Sequence, residues 1–365
     1  MFPFTELRQV QIEITNRCQA SCPMCDRNIN GVITNPKLKL NDWTLDNFKK
    51  IFDNTTLNQI SKIDFCGVFG EPILNNDLID MCQYVKDTNP NIQISIYTNG
   101  SARNSEWWKQ LANSLPTNHK VEFALDGLHD THSLYRIGTS YDKIINNAKS
   151  FIDAGGNAHW MFLQFKHNEH QVTQANEIAN SLGFKQFTVK NSKRFSGKFT
   201  VLNKHGSASH YIEQPNETIV NLVRKEDLIN YSTWKNNTQV NCMVYNDKEV
   251  YIDAHYTMLP CCMLSSFLYS NYDKELYQYY NIYNESNIVD AGIIAQQGVE
   301  TLLEELGGIN QLDTLSLGIK SILETNTWQR IWQHKWDNKS SPACIMLCSK
   351  ASPFTSVEGQ KHVSI

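Results

Sequence analysis

From residue 10 to residue 189, six short apolar runs alternate with longer stretches of helical period, and this rhythm restricts the fold more than any other feature. The strand candidates are Val10–Ile14, Lys62–Phe65, Gln93–Tyr97, Lys120–Leu125, His159–Phe165 and Gln186–Val189. Helix candidates lie between them at Thr44–Phe52, Asp77–Asp87, Ser105–Asn113, Tyr141–Ala154 and Gln171–Leu182. Thr44, and Asn76 or Asp77, stand where helices start, and Gly155-Gly156 stands where one should stop. Strands that alternate with helices predict a parallel sheet with right-handed crossovers. Ligands of such sheets collect outside the carboxyl ends of the strands.

Three cysteines follow the first strand at C-x3-C-x2-C spacing: Cys18, Cys22 and Cys25. One loop can wrap these thiolates around one metal centre. A structural zinc site wants four ligands, so zinc needs a fourth from elsewhere. A [4Fe–4S] cluster held by three thiolates leaves one iron open. Gly70-Glu71-Pro72 follows the second strand, and Tyr97-Thr98-Asn99-Gly100 follows the third.

The loop CQASCPMC, the GEP stretch and YTNG, in that order, resemble the radical S-adenosylmethionine (SAM) enzymes. The resemblance covers residues 8 to 195 and, more weakly, 240 to 350. It implies a partial (β/α)6 TIM-like barrel in which Cys18, Cys22 and Cys25 hold a [4Fe–4S] cluster. The open iron would bind the amino and carboxylate groups of SAM, and one electron would split SAM into methionine and a 5′-deoxyadenosyl radical. Met24 would lie against the adenine, or fill a gap in the core. Gly70, Glu71 and Pro72 would hold the SAM amino group, although Phe69-Gly70 replaces the usual double glycine. Asn99 would line the SAM site or form a turn. In Ala124-Leu125-Asp126-Gly127, alanine replaces the serine of a common SLDG stretch. Arg136 then becomes the candidate partner of the SAM carboxylate, by bidentate pairing, unless it is a surface arginine. Gln164 and Asn168 resemble ribose-contacting positions, with ordinary loop roles as the alternative. Cys66 and Cys82 read as core residues.

After residue 195 the rhythm breaks. Residues 195 to 240 read as a connector with a surface helix near Val220–Ile229, and residues 269 to 290 resist assignment. A hairpin is predicted from Val250-Tyr251-Ile252 through Asp253-Ala254-His255 into Thr257-Met258-Leu259. Helices are predicted at Val299–Leu306 and Thr327–Trp336. Cys242, Cys261, Cys344 and Cys348 resemble a twitch or SPASM-like extension, whose four cysteines bind an auxiliary [4Fe–4S] cluster. The turn lacks the usual glycine, and the last pair is spaced x3. Cys262 could replace Cys261, and zinc suits the same donors. The organisation expected is a core over residues 1–195, a connector over 196–240 and an auxiliary-cluster domain over 241–365.

Composition narrows the function classes. A net charge of −4 and a pI near 6.3 argue against a nucleic-acid partner. No 18-residue apolar run is present, so no membrane span is expected. The first residues lack the pattern of a signal peptide, and ten cysteines then read as reduced thiols for metal or redox work. A cytoplasmic location follows as an expectation. The expected substrate is a peptide, a sugar-like metabolite or another small polar molecule, with a flavodoxin or ferredoxin as electron donor. Arg194, Asp253 and His255 are further polar candidates for the substrate face. The competing classes are an inactive iron–sulfur or zinc scaffold, and an epimerase, isomerase or nucleotide modifier.

Overall fold

The computed structural model describes residues 2–29, 31–192, 198–216, 240–269, 286–330, 341–348 and 360–363. The chain divides into two compact units. The first comprises Ile12–Val220 with Glu358–Ile365, and the second comprises Met1–Gln11 with Asn221–Val357.

The described strands, in chain order, are β1 Gln9–Ile12, β2 Asn28–Ile29, β3 Ile33–Thr34, β4 Lys62–Phe65, β5 Gln93–Thr98, β6 His119–Ala124, β7 Ala158–Gln164, β8 Gln186–Asn191, β9 Lys198–Leu202, β10 Ala208–Glu213, β11 Glu249–Ile252, β12 Met258–Leu259 and β13 Gln360–Val363. In the first unit β4, β5, β6, β7 and β8 pair in sequence order, every pair parallel. Ile12, at the end of β1, accepts a hydrogen bond on its carbonyl from Cys66 N at 2.9 Å. The far edge of β8 carries β13, antiparallel.

The helices of this unit are α1 Leu45–Ile51, α2 Asn54–Gln59, α3 Leu78–Thr88, α4 Ser105–Ser114, α5 His132–Tyr135, α6 Tyr141–Asp153 and α7 Val172–Leu182. Their starts follow from capping chemistry. Thr44 accepts from Asn47 N, Asp53 from Thr56 N and Asn104 from Trp107 N. Asp77 precedes α3 without capping it; its carboxylate instead accepts from Leu45 N at 2.8 Å, tying α1 to the start of α3. Beyond α6, the Gly155 and Gly156 amides return to Ile152 and Phe151 carbonyls, the role expected of that pair.

Strand periodicity sorts the two faces of the sheet. Ile63, Ile94, Ile96, Phe123, Trp160, Phe162 and Phe187 are fully buried. Aromatic rings fill the layer toward the helices: Trp108 meets Phe123 at 5.1 Å, and Trp160 meets Phe184 at 5.4 Å and Phe187 at 5.8 Å. Burying each such ring contributes about 1.5–3 kcal/mol. On alternate positions β4 and β6 carry ion pairs within one strand, Lys62–Asp64 at 2.6 Å and Lys120–Glu122 at 2.5 Å. Cys66 and Cys82 are buried, and burial raises the Cys82 thiol well above its ordinary range.

Part of the region read as a connector is a hairpin, β9 against β10. Most of β10 is exposed and polar, so its apolar periodicity is weak; Asn203, whose Oδ1 accepts from His205 N and Ser207 N, shapes the turn. The surface helix expected near Val220–Ile229, Arg194 and most of Thr327–Trp336 lie outside the described residues, although 326–330 is helical.

In the second unit, β11 and β12 form the predicted hairpin, with Tyr251 opposite Leu259 and Ile252 opposite Met258. The amides of Arg8 and Gln9 donate to the Lys248 carbonyl, and Lys248 Nζ meets Glu6 at 2.9 Å. Helices occupy Met243–Asn246, Cys262–Tyr269, Ser286–Glu305 and Pro342–Cys348. The third of these is longer than the predicted Val299–Leu306 and starts inside the stretch that resisted assignment. Among the described residues, no helix is long and apolar enough to cross a membrane.

Candidate active site

Three strand ends of the first unit are joined by hydrogen bonds. After β1 comes the cysteine loop, after β4 the turn Gly67–Pro72, and after β5 Asn99 and Gly100. The turn lies flush against the end of β1: a Cβ on Gly70 would fall 1.8 Å from the Thr15 carbonyl oxygen, so only glycine fits there. The Glu71 amide donates to Arg17 O at 2.7 Å. Pro72 opens a short 3₁₀ helix, Pro72–Leu74. Arg103 closes its far end, donating to the carbonyls of Ile73, Leu74 and Asn75.

Glu71 is buried, and its carboxylate faces β5. Oε1 accepts from Thr98 Oγ1 at 2.6 Å, and Oε2 accepts from Asn99 N at 2.7 Å. Desolvation pushes its pKa up to about 7, although these bonds and Arg136 pull it down. A group of this kind changes charge near neutrality, in contact with the strand end where Asn99 stands.

Asn99 links the turn to the cysteine loop. Its Oδ1 accepts from Gln19 Nε2 at 2.7 Å and Ser101 N at 3.0 Å, and its Nδ2 reaches Cys18 Sγ at 3.8 Å. Ser21 N donates to Ile137 O at 2.8 Å, which straps the loop from the other side. Burial pushes the Cys18 thiol up to about 12, with Glu71, Cys22 and Cys25 adding to the rise. Burial holds the Cys22 thiol up as well. Cys25 Sγ lies 4.0 Å from Val68 O, and Met24 is buried.

Partly buried Arg136 and fully buried Asp126 form an ion pair beside Cys22. Arg136 Nε donates to Asp126 Oδ2 at 2.5 Å, and the guanidinium hydrogen-bonds the Cys22 thiol. Asp126 is fully buried, and its Oδ1 accepts from Leu163 N at 2.7 Å. Burial alone would lower the Arg136 pKa, but Asp126 and Cys22 more than offset it. Arg136 is therefore no free surface arginine, and its Nε is already engaged. Gln164 is half-buried at the end of β7. Asn168 is fully enclosed, accepting from Phe165 N at 2.7 Å and donating to Leu163 O at 3.0 Å, so its amide shapes the turn after β7.

The second unit holds the other cysteines. Cys242 and Cys348 are hydrogen-bonded; this bond holds Cys242 low and Cys348 high. Cys348 also couples electrostatically to Cys261 and Cys344, and Cys261 to Cys242 and Cys344. Asn241 N donates to Cys348 O at 2.6 Å. Cys262 couples to Cys261 and begins the helix Cys262–Tyr269. Asp253 serves the hairpin: Oδ1 accepts from His255 N and Thr257 N, and Oδ2 accepts from Tyr269 Oη at 2.8 Å.

Among the described residues, no group of three or more His, Cys, Asp or Glu side chains stands in a metal-holding arrangement. The donor chemistry nonetheless suits a soft, thiolate-bound centre in each unit. Three neighbouring thiols in the first unit and four in the second are donors that both iron–sulfur clusters and zinc accept. Raised thiol pKa values mean that metal binding must release protons.

Sequence reasoning missed Glu13, Arg103 and Asp126. Asp126 ends an apolar run, Phe123-Ala124-Leu125-Asp126, whereas Glu13 sits in the alternating run Val10-Gln11-Ile12-Glu13-Ile14. A buried carboxylate needs a partner, so that position was the available signal.

Residues 12–178 match the radical SAM superfamily. No curated protein matches the chain. Among solved structures, the chain is similar to Streptococcus suis SuiB bound to S-adenosylmethionine, at 15% identity and TM-score 0.49, over 72% of this chain and 61% of that one. It thus spans about three fifths of SuiB. It is also similar to BtrN in complex with AdoMet and 2-DOIA, at 12% identity and TM-score 0.45, over 98% of both chains. A third similarity is to anSMEcpe with bound AdoMet, at 12% identity and TM-score 0.45, over 91% of this chain and 93% of that one.

Proposed function

We propose that this protein, an oxidoreductase-type enzyme with a radical SAM superfamily domain over residues 12–178, cleaves SAM at Cys18, Cys22 and Cys25 and removes a hydrogen atom from a peptide or other small polar substrate. The observation that carries the reading is the chain Glu71–Asn99–Cys18, which joins three strand ends at one thiol loop. When bound, a [4Fe–4S] cluster supplies the electron that splits SAM into methionine and a 5′-deoxyadenosyl radical.

The chain's own residues bind and orient. The Gly70-Glu71-Pro72 turn offers backbone acceptors to the SAM amino group. Arg136, held by Asp126, offers its remaining guanidinium N–H groups to the SAM carboxylate. Met24 lies against the adenine, and Asn99 and Gln164 line the nucleoside; Asn168 acts on the same loop by shaping it. Burial around Cys18 and Cys22 excludes water, which protects a reactive carbon radical from side reactions.

The second unit adds Cys242, Cys261, Cys344 and Cys348 as ligands of an auxiliary [4Fe–4S] cluster, which would relay an electron or position substrate. Cys261 interacts electrostatically with both Cys242 and Cys344, and Cys262 stays as its alternative in the ligand set. Functionally, we assign catalysis to residues 1–195 and the auxiliary cluster to 241–365, with 196–240 between them. A flavodoxin or ferredoxin in the cytoplasm would supply electrons.

Anaerobically reconstituted protein should contain about eight irons and, with dithionite and SAM, release 5′-deoxyadenosine. A Cys22→Ala variant should release none. An intact cluster without that product would favour a binding scaffold instead. About four irons with one zinc would remove the auxiliary cluster and spare the core.

A further inference from the structure

Glu13 has no part in the reading above, yet it is almost wholly buried and makes two short contacts with the β4 turn. Its Oε1 accepts from Phe69 N at 2.6 Å and from Gly70 N at 2.7 Å. Both peptide units are trans, so each carbonyl points opposite to its own N–H. By taking the two N–H groups, Glu13 turns the Val68 and Phe69 carbonyls away from itself. They face the cysteine loop: Val68 O lies 4.0 Å from Cys25 Sγ, and Phe69 O accepts from Arg27 Nη1 at 3.3 Å. Glu71 N, next along, is itself spent on Arg17 O of that loop, which leaves the Val68 and Phe69 oxygens as the acceptors that Glu13 orients.

An ammonium group has donors only and needs that pattern of acceptors. We infer that Glu13 is a positioning residue: its carboxylate fixes the peptide orientation of Val68–Gly70 so that backbone oxygens are aimed at the ammonium of an α-amino-acid moiety. This rests on the proposed binding of SAM and deepens it, since it assigns recognition of one ligand group to a side chain that never touches the ligand. The neighbouring constraint has the same effect. Gly70 cannot retreat, because its Cα already lies against the Thr15 carbonyl, two residues beyond Glu13 on the same strand end. Charge-assisted bonds to a carboxylate are roughly twice as strong as neutral ones, so a neutral amide at position 13 would hold the turn loosely without emptying the site.

The test uses two ligands that share a thioether nucleoside. S-adenosylhomocysteine carries the whole amino-acid moiety, ammonium included, and 5′-methylthioadenosine lacks that moiety. Calorimetry on the anaerobically reconstituted full chain should show Glu13→Gln weakening S-adenosylhomocysteine by about tenfold while 5′-methylthioadenosine binds as it does to the wild type. Glu13→Asp, which keeps the charge but shortens the reach, should lose less with the same contrast, and it decides the matter if Glu13→Gln does not fold. Equal weakening of both ligands, or of neither, would overturn the inference and leave the SAM reading standing. Wild-type protein that bound neither ligand would overturn both.

Discussion

At the scale of single residues, the site depends on charges placed out of water, and each survives only through its partner. Asp126 and Arg136 illustrate this. Asp126 has no exposed surface and meets Arg136 at 2.5 Å, with Leu163 N on its other oxygen. Asp126→Leu would leave a partly buried guanidinium without its counter-charge, at a cost of about 3 kcal/mol, the lower end for a buried pair because Arg136 keeps some contact with water. Urea unfolding should register that loss, and the double variant Asp126→Leu/Arg136→Met should recover much of it, because a hydrophobic pair needs no compensation. If the single and double variants unfolded alike, the pair would not be coupled. The three loop cysteines stand out by spacing because eight residues of contiguous chain carry them. Glu13 does not, since its partners lie 56 and 57 positions away, and Asp126 has one partner 10 positions away and another 37 away. Local pattern can flag a buried carboxylate, but only the fold says what it holds.

At the scale of elements, β4 to β8 were readable because each is an apolar run held in the core: β6 and β7 alternate in burial, and β4, β5 and β8 each bury three consecutive residues. The elements that escaped reading lack that support. The β9–β10 hairpin has an exposed, polar face, and β13 is four residues long and sits at an edge. One device at the start of β6 links elements and carries a pH prediction. His119 Nε2 accepts from Asn157 N at 3.0 Å, so Nδ1 donates to Pro116 O at 2.6 Å, and the ring bridges the loops before β6 and β7 as a neutral tautomer. Burial lowers its pKa in the folded state. Below about pH 6.5 the unfolded chain takes up a proton that the folded chain refuses, so this contribution is present above that pH and is lost as pH falls. The slope it adds is at most about 1.4 kcal/mol per pH unit. His119→Gln should flatten stability between pH 6.5 and 5 relative to the wild type in paired denaturant titrations. An unchanged slope would mean that other groups set the acid limit.

At the scale of the whole molecule, the order of the chain and the order of the fold part company. Residues 221–357 build one unit, yet Glu358–Ile365 belongs to the other, where β13 runs antiparallel along the free edge of β8. Gln360 stands opposite Lys190 and Val363 opposite Phe187, so a tail more than 160 residues downstream completes the sheet that begins at the cysteine loop. Without it, the last parallel strand would present unpaired N–H and C=O groups, which invite pairing with another chain. A chain ending at Val357 should therefore lose about 2–4 kcal/mol, from a few ladder bonds at roughly 0.5–1.5 kcal/mol each, and should self-associate as concentration rises. Hydrogen exchange separates this from general damage. Protection should fall across Phe187–Lys190 and persist in β5 and β6, whose parallel ladder does not involve the tail. Adding a synthetic Glu358–Ile365 peptide in trans should restore protection at β8 and return the protein to its original oligomeric state. If the truncated chain kept full protection there, the tail would be an ornament on the sheet rather than its last strand.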